Sequence, residues 1–148
     1  MTKEQTLEAI KNARNAHELQ MVKIEKLIEG REVENLTAVA KTKCEFGQWL
    51  YSDNNHVKEI LGEQFYTNID DKHSKWHTEY LKIFNIFFKN QKKSFFSSLI
   101  GLHTVDSMEI DKAKLYYSEL QVTTNDLLSA LASSERRLAA MNESKFHY

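Results

Sequence analysis

The sequence predicts an all-α fold: an antiparallel four-helix bundle with a short extra helix and an elongated C-terminal helix. Three observations carry that expectation. The 148 residues include only 4 glycines and no proline, the two residues on which sheet turns lean and which helix interiors exclude. Apolar positions recur at steps of three and four over long stretches. Turn and cap residues fall in short clusters between those stretches. Hydrophobic side chains make up 41% and charged ones 28%, a balance that supports one domain with a real core. Residues 1–148 therefore read as a single domain, with its core over about 3–130 and with 131–148 as a helix extension or tail.

The first helix is expected from about Lys3 to Glu29, with Leu7, Ile10, His17, Met21, Ile24 and Ile28 on one face and Gly30 as a C-cap. A second is expected over Glu32–Tyr51, with Leu36, Ala40, Cys44, Gly47 and Tyr51 on one stripe. Ser52-Asp53-Asn54-Asn55 carries turn and N-cap chemistry. A short helix then runs to Leu61, before Gly62. The third long helix spans about Gln64–Asn90, with Tyr66, Ile69, His73, His77, Tyr80, Phe84 and Phe87 in line. Ser94–Gly101 reads as a short amphipathic turn or helix. The last helix starts near Asp106 and extends toward Glu143, with a seam through Ile110, Ala113, Tyr117, Leu120, Thr124, Leu127, Leu131, Ser134, Leu138 and Met141. Those alternating steps of three and four are coiled-coil spacing with two polar interruptions. The extra turns need a cover for their seam, and a second copy of the chain, a homodimer, is the simplest supply.

Charge and length exclude several function classes. Twenty basic against 21 acidic side chains leave a formal net charge of −1, which gives no nucleic-acid footprint. The short run Lys89, Lys92, Lys93 reads as a solvated helix end. No stretch approaches the ~20 apolar residues of a membrane span. The first residues lack the apolar segment of a secretory signal, and one cysteine cannot form an internal disulfide, so the cytoplasm is the expected location.

Three of the six histidines, His17, His73 and His77, fall on the apolar stripes, and so does Cys44. Polar groups at core positions are costly unless they find partners. His73 and His77 are one turn apart, with side chains about 40° apart around the helix axis, so two imidazoles can converge on one ion. His17 and Cys44 lie near the middle of their own helices, at a depth where one layer of the bundle collects all four. Zinc prefers tetrahedral nitrogen and sulfur ligands, magnesium and calcium want oxygen, and ligand type alone leaves copper and iron open. One thiolate and three imidazoles leave a zinc site with a net charge of about +1. His56 and His103 are weaker candidates, and His147 reads as a frayed terminal residue. A hemerythrin-like di-iron oxygen-binding bundle is the alternative, but it needs bridging carboxylates, and Met21 stands where the acid partnering His17 belongs. The positions between His73 and His77 begin Ser74-Lys75, without the glutamate of a zinc protease. Four protein ligands also close the zinc shell to water. The chain does not read as an enzyme.

The segment Cys44-Glu45-Phe46-Gly47-Gln48-Trp49 resembles the Cys-x-Phe/Leu-Gly-x-Trp motif of the chemoreceptor zinc-binding domains, found in bacterial chemoreceptors and at the N-terminus of some diguanylate cyclases. His17 before it and His73-Ser74-Lys75-Trp76-His77 after it follow the family's order. The resemblance implies a helical bundle that binds zinc through His17, Cys44, His73 and His77. It further implies a sensory or regulatory role, passing zinc occupancy or oxidation of Cys44 (by hypochlorite, for example) to a signalling protein of a chemotaxis or cyclic-di-GMP pathway. Gly47 is expected to let a helix or the metal approach closely, Phe46 and Trp49 to keep water out, and Trp76 to fill the core. No diguanylate-cyclase signature or long receptor hairpin accompanies the bundle.

Overall fold

Helix α1, Lys3–Ile28, opens on a reciprocal cap in which the Thr2 side chain accepts from the Gln5 N–H while the Gln5 side chain accepts from the Thr2 N–H. It closes on Gly30 at φ +80°, with the Gly30 and Arg31 N–H groups returning to the Leu27 and Lys26 carbonyls. That left-handed stop is cheap only for glycine. The structure is a computed structural model and describes residues 1–88 and 105–148. After α1 come α2 (Glu45–Leu50), α3 (Val57–Leu61), α4 (Glu63–Phe88) and α5 (Ser107–Ala140), with single 3₁₀ turns at Asp53–Asn55 and Glu143–Phe146. No strand occurs among the described residues. The readings for Lys89, Lys92, Lys93, Ser94–Gly101 and His103 fall outside those residues.

The fold is the all-α bundle expected, with an elongated C-terminal helix, but the second long helix is absent. Residues 31–44 are an extended strap followed by a turn, and only Glu45–Leu50 coil into a helix. The strap gives its backbone polar groups to its neighbours. Thr37 N–H donates to Gln20 Oε1 (3.0 Å), the Thr37 carbonyl accepts from Tyr80 Oη (2.9 Å), and the Asn35 carbonyl accepts from Lys23 Nζ (3.1 Å). Asn35 itself is left-handed, at φ 58°. Helix propensity is a weak term, and here a set of cross-element bonds outweighs it.

Hydrogen bonds fix the directions of the long helices. Lys3 Nζ at the start of α1 donates to the Ala139 and Met141 carbonyls at the end of α5, both at 2.8 Å, while Tyr117 Oη reaches the Met21 carbonyl. Arg137 Nε near the end of α5 donates to the Leu61 carbonyl just ahead of α4, and Trp76 Nε1 to Thr124 Oγ1 (2.9 Å). Both α1 and α4 therefore run antiparallel to α5 and parallel to each other, with the strap, α2 and α3 as the crossover. Helices α1 and α4 pack principally on α5. The core of Ile10, Ile24, Ile69, Trp76, Ile83, Leu120, Leu127 and Leu131 lies between the three.

The packed core continues past residue 130. Leu131, Ser134, Leu138 and Phe146 are all buried. The late turns of α5 are thus covered by the chain itself rather than left as an extension. The exposed apolar side chains of α5 lie earlier, at Met108, Leu115 and Val122.

Candidate metal centre

The middle of α1 faces the middle of α4, and there three imidazoles meet. His17, His73 and His77 are buried and bring one ring nitrogen each to within 4.8 Å of one another. Cys44 borders the group, with its Sγ 3.4 Å from His73 Nε2. It arrives from the N-cap of α2 rather than from the middle of a long helix. Zinc bonds of about 2.0–2.1 Å to nitrogen and 2.3 Å to sulfur put neighbouring ligand atoms of a tetrahedron about 3.3–3.6 Å apart. The sulfur–nitrogen distance already meets that spacing. The widest nitrogen pair needs to contract by about 1–1.5 Å.

The local sequence explains how Cys44 reaches the layer. The turn at Lys41–Cys44 folds under α2, and Gly47 sits where a Cβ would collide with the Lys41 carbonyl. Glycine is required there because the chain's own turn comes close, not another helix. Gly47 N–H donates to Cys44 Sγ at 3.2 Å. Phe46 packs edge-on to His17 and His73. Trp49 stacks on Phe46 from outside, half-buried, with Nε1 on Met1 Sδ, while Trp76 is wholly buried.

Each histidine uses Nδ1 for orientation. His17 Nδ1 lies 2.7 Å from the Ala13 carbonyl, His77 Nδ1 2.8 Å from the Val39 carbonyl on the strap, and His73 Nδ1 3.1 Å from Tyr51 Oη. The Nε2 atoms are left for the centre. His77 Nε2 is buried with no hydrogen-bond partner, an orphaned atom that a metal ion would satisfy.

Electrostatics favour the ligating form of the imidazoles. Burial lowers His17 to about 4, against an opposing bond to Ala13. Burial, then the neighbouring His17 and His77, lowers His73, and burial lowers His77. All three are neutral at neutral pH. Burial raises the Cys44 thiol, with backbone N–H groups pulling the other way, so a cation is what would draw off its proton. The donor set of neutral imidazoles and one sulfur fits zinc.

The remaining candidates stand apart. His56 caps α3 in a left-handed conformation, its ring stacked on Tyr148, and His147 is exposed. Among the described residues the cluster contains no carboxylate, so the di-iron alternative lacks its bridging acids. Sequence reasoning missed the polar groups behind His73: Tyr51, Asp70, Ser74 and Lys41. Asp70 and Ser74 are one turn apart beside His73, a spacing visible in the sequence, but Lys41 and Tyr51 join them only through the turn that replaced the expected helix.

No helix among the described residues is long and apolar enough to cross a membrane. Residues 17–84 match the family model of the chemoreceptor zinc-binding domain, a span that starts at His17 and encloses Cys44, His73 and His77. Comparison with curated proteins and with solved structures returned no match.

Proposed function

We propose, from the match of residues 17–84 to the chemoreceptor zinc-binding domain, that the chain carries such a domain and that His17, Cys44, His73 and His77 hold one zinc ion in a sensory or regulatory role. The observation that carries the reading is the meeting of three buried imidazoles, an unpartnered His77 Nε2 among them, with the Cys44 sulfur beside His73. Bound there, zinc supplies charge stabilisation for a thiolate and a cross-link between α1, the α2 cap and α4. With four protein ligands the shell has no place for a reacting water, which favours regulation over catalysis.

Two signals reach this site. One is zinc occupancy. The other is oxidation of Cys44, by hypochlorite for instance, which turns a charged ligand into a sulfenic acid and weakens its hold. The output goes to a signalling protein, of a chemotaxis or cyclic-di-GMP pathway, in the cytoplasm. The chain acts as a homodimer, a reading supported by Met108, Leu115 and Val122 recurring every seven residues on the open side of α5.

Elemental analysis of the purified chain tests the site. About one zinc per chain is expected, and Cys44→Ala should lose it to a chelator that leaves the wild type loaded. Iron in place of zinc, or equal retention by Cys44→Ala, would overturn the proposal. Zinc release on stoichiometric hypochlorite, absent in the presence of excess thiol, tests the oxidation arm.

A further inference from the structure

We propose that Tyr51 and Asp70 are positioning residues of the metal site, and that together they hold His73 in the one tautomer able to ligate. The inference rests on the zinc reading above and names what controls one of its ligands.

Two of the three histidines are set by the backbone. The Ala13 and Val39 carbonyls can only accept, so His17 and His77 carry their protons on Nδ1 and turn a lone pair on Nε2 toward the centre. His73 has no carbonyl behind it. Its Nδ1 meets the Tyr51 hydroxyl at 3.1 Å, and a hydroxyl both donates and accepts, so it selects no tautomer by itself.

Asp70 makes the selection. Its Oδ1 lies 2.7 Å from Tyr51 Oη, 2.9 Å from Lys41 Nζ and 3.2 Å from Ser74 Oγ. Lys41 Nζ also reaches Ser74 Oγ at 2.6 Å and lies 4.9 Å from the centre of the Tyr51 ring. A carboxylate paired with an ammonium only accepts, so the single Tyr51 proton goes to Asp70. The phenol oxygen is then left to accept from His73 Nδ1–H. Nε2 becomes the lone pair, and it is the atom 3.4 Å from Cys44 Sγ.

The chain path couples this device to the other ligand. Cys44 is the N-cap of α2 and Tyr51 its C-cap. One short helix thus carries a ligand at one end and the hydroxyl that orients a second ligand at the other. Asp70 sits one turn before His73 on α4.

The test compares wild type, Asp70→Ala, Tyr51→Phe and the double variant for zinc affinity against a chelator. ¹⁵N NMR of the histidine rings in the chelated proteins accompanies it. Lys41, Tyr51 and Ser74 all meet the one Asp70 oxygen, so Asp70→Asn would keep an acceptor there, whereas Asp70→Ala removes it. The Tyr51 proton would then turn toward His73 Nδ1 and the imidazole proton would move to Nε2. Each single variant is expected to bind zinc about 10–100-fold more weakly, and the double variant no more weakly than the worse single, since both act through one bond. The His73 signals should change from Nδ1–H in the wild type toward Nε2–H in Asp70→Ala. Should Asp70→Ala fail to fold, Tyr51→Phe carries the affinity test alone. Unchanged affinities overturn the proposal. So does weaker binding with an unchanged His73 tautomer, which would make the network a fastening for the Lys41 turn only. A wild-type chain that takes up no zinc would instead overturn the site itself.

Discussion

At the scale of single residues, the three histidines are buried bases kept neutral, and that has a consequence for acid stability. The folded-state value of His17 is about 4, and those of His73 and His77 are also lowered, against an unfolded value near 6.5. For a base lowered on folding, protonation favours the unfolded chain. The stability the three confer is fully present above pH about 6.5 and is lost as pH falls below it, for His17 down to about 4. Within its window His17 alone costs up to about 1 kcal/mol per pH unit. Metal-free protein should therefore lose denaturant resistance steeply between pH 7 and pH 5, and His17→Gln should flatten the loss. A wild-type midpoint that stays constant across that range would refute the assignment.

At the scale of elements, the turn that delivers Cys44 depends on the missing Cβ of Gly47. Two effects oppose each other in Gly47→Ala. Helix propensity favours alanine by about 1 kcal/mol. Against it, the new methyl would run into the Lys41 carbonyl and come within 3.3 Å of Cys44 Sγ. Backbone displacement of this kind costs about 1–3 kcal/mol, and α2 has only six residues over which to take the propensity gain. The collision wins. Gly47→Ala should unfold at lower denaturant and bind zinc more weakly, and an equal or higher midpoint would show that the turn yields easily. The same turn is where reading the sequence stopped short. The stripes of α1, α4 and α5 mark their buried faces, because a long helix against one core repeats its burial every turn. Leu36, Ala40, Cys44, Gly47 and Tyr51 share that spacing without sharing a helix. The path of the strap is set by bonds of Asn35, Thr37 and Val39 to Lys23, Gln20, Tyr80 and His77, which lie far away in sequence and leave no local period. The four candidate ligands were legible because burying a histidine or a cysteine is itself a signal. The Asp70–Tyr51 pair behind His73 was not, since polar residues at a helix surface look alike until the partner is known.

At the scale of the whole molecule, the arrangement of helices decides what a metal can do to the fold. Helices α1 and α4 lean principally on α5, and α5 contributes none of the four candidate ligands. The histidine cluster thus ties α1 to α4 directly, and through Val39 and Cys44 it also pins the strap. Metal that binds only the folded state at 100 times its dissociation constant adds about 2.7 kcal/mol. For a chain of this size that raises Tm by roughly 5–10 °C. Chelation should reverse the gain in the wild type and do nothing to His77→Ala, because that variant has lost both a ligand and the bond to Val39 and gains little from zinc at the start. Hydrogen exchange locates the effect. On chelation, amides of α1 around His17 and of residues 35–44 should exchange faster, while the α4–α5 contact around Trp76 and Thr124, which is fastened by its own buried hydrogen bond, should hold its protection. Equal losses throughout the chain would mean that the metal stabilises the bundle as a whole rather than the junction of α1, strap and α4. The site would then have no movable element through which to report its state.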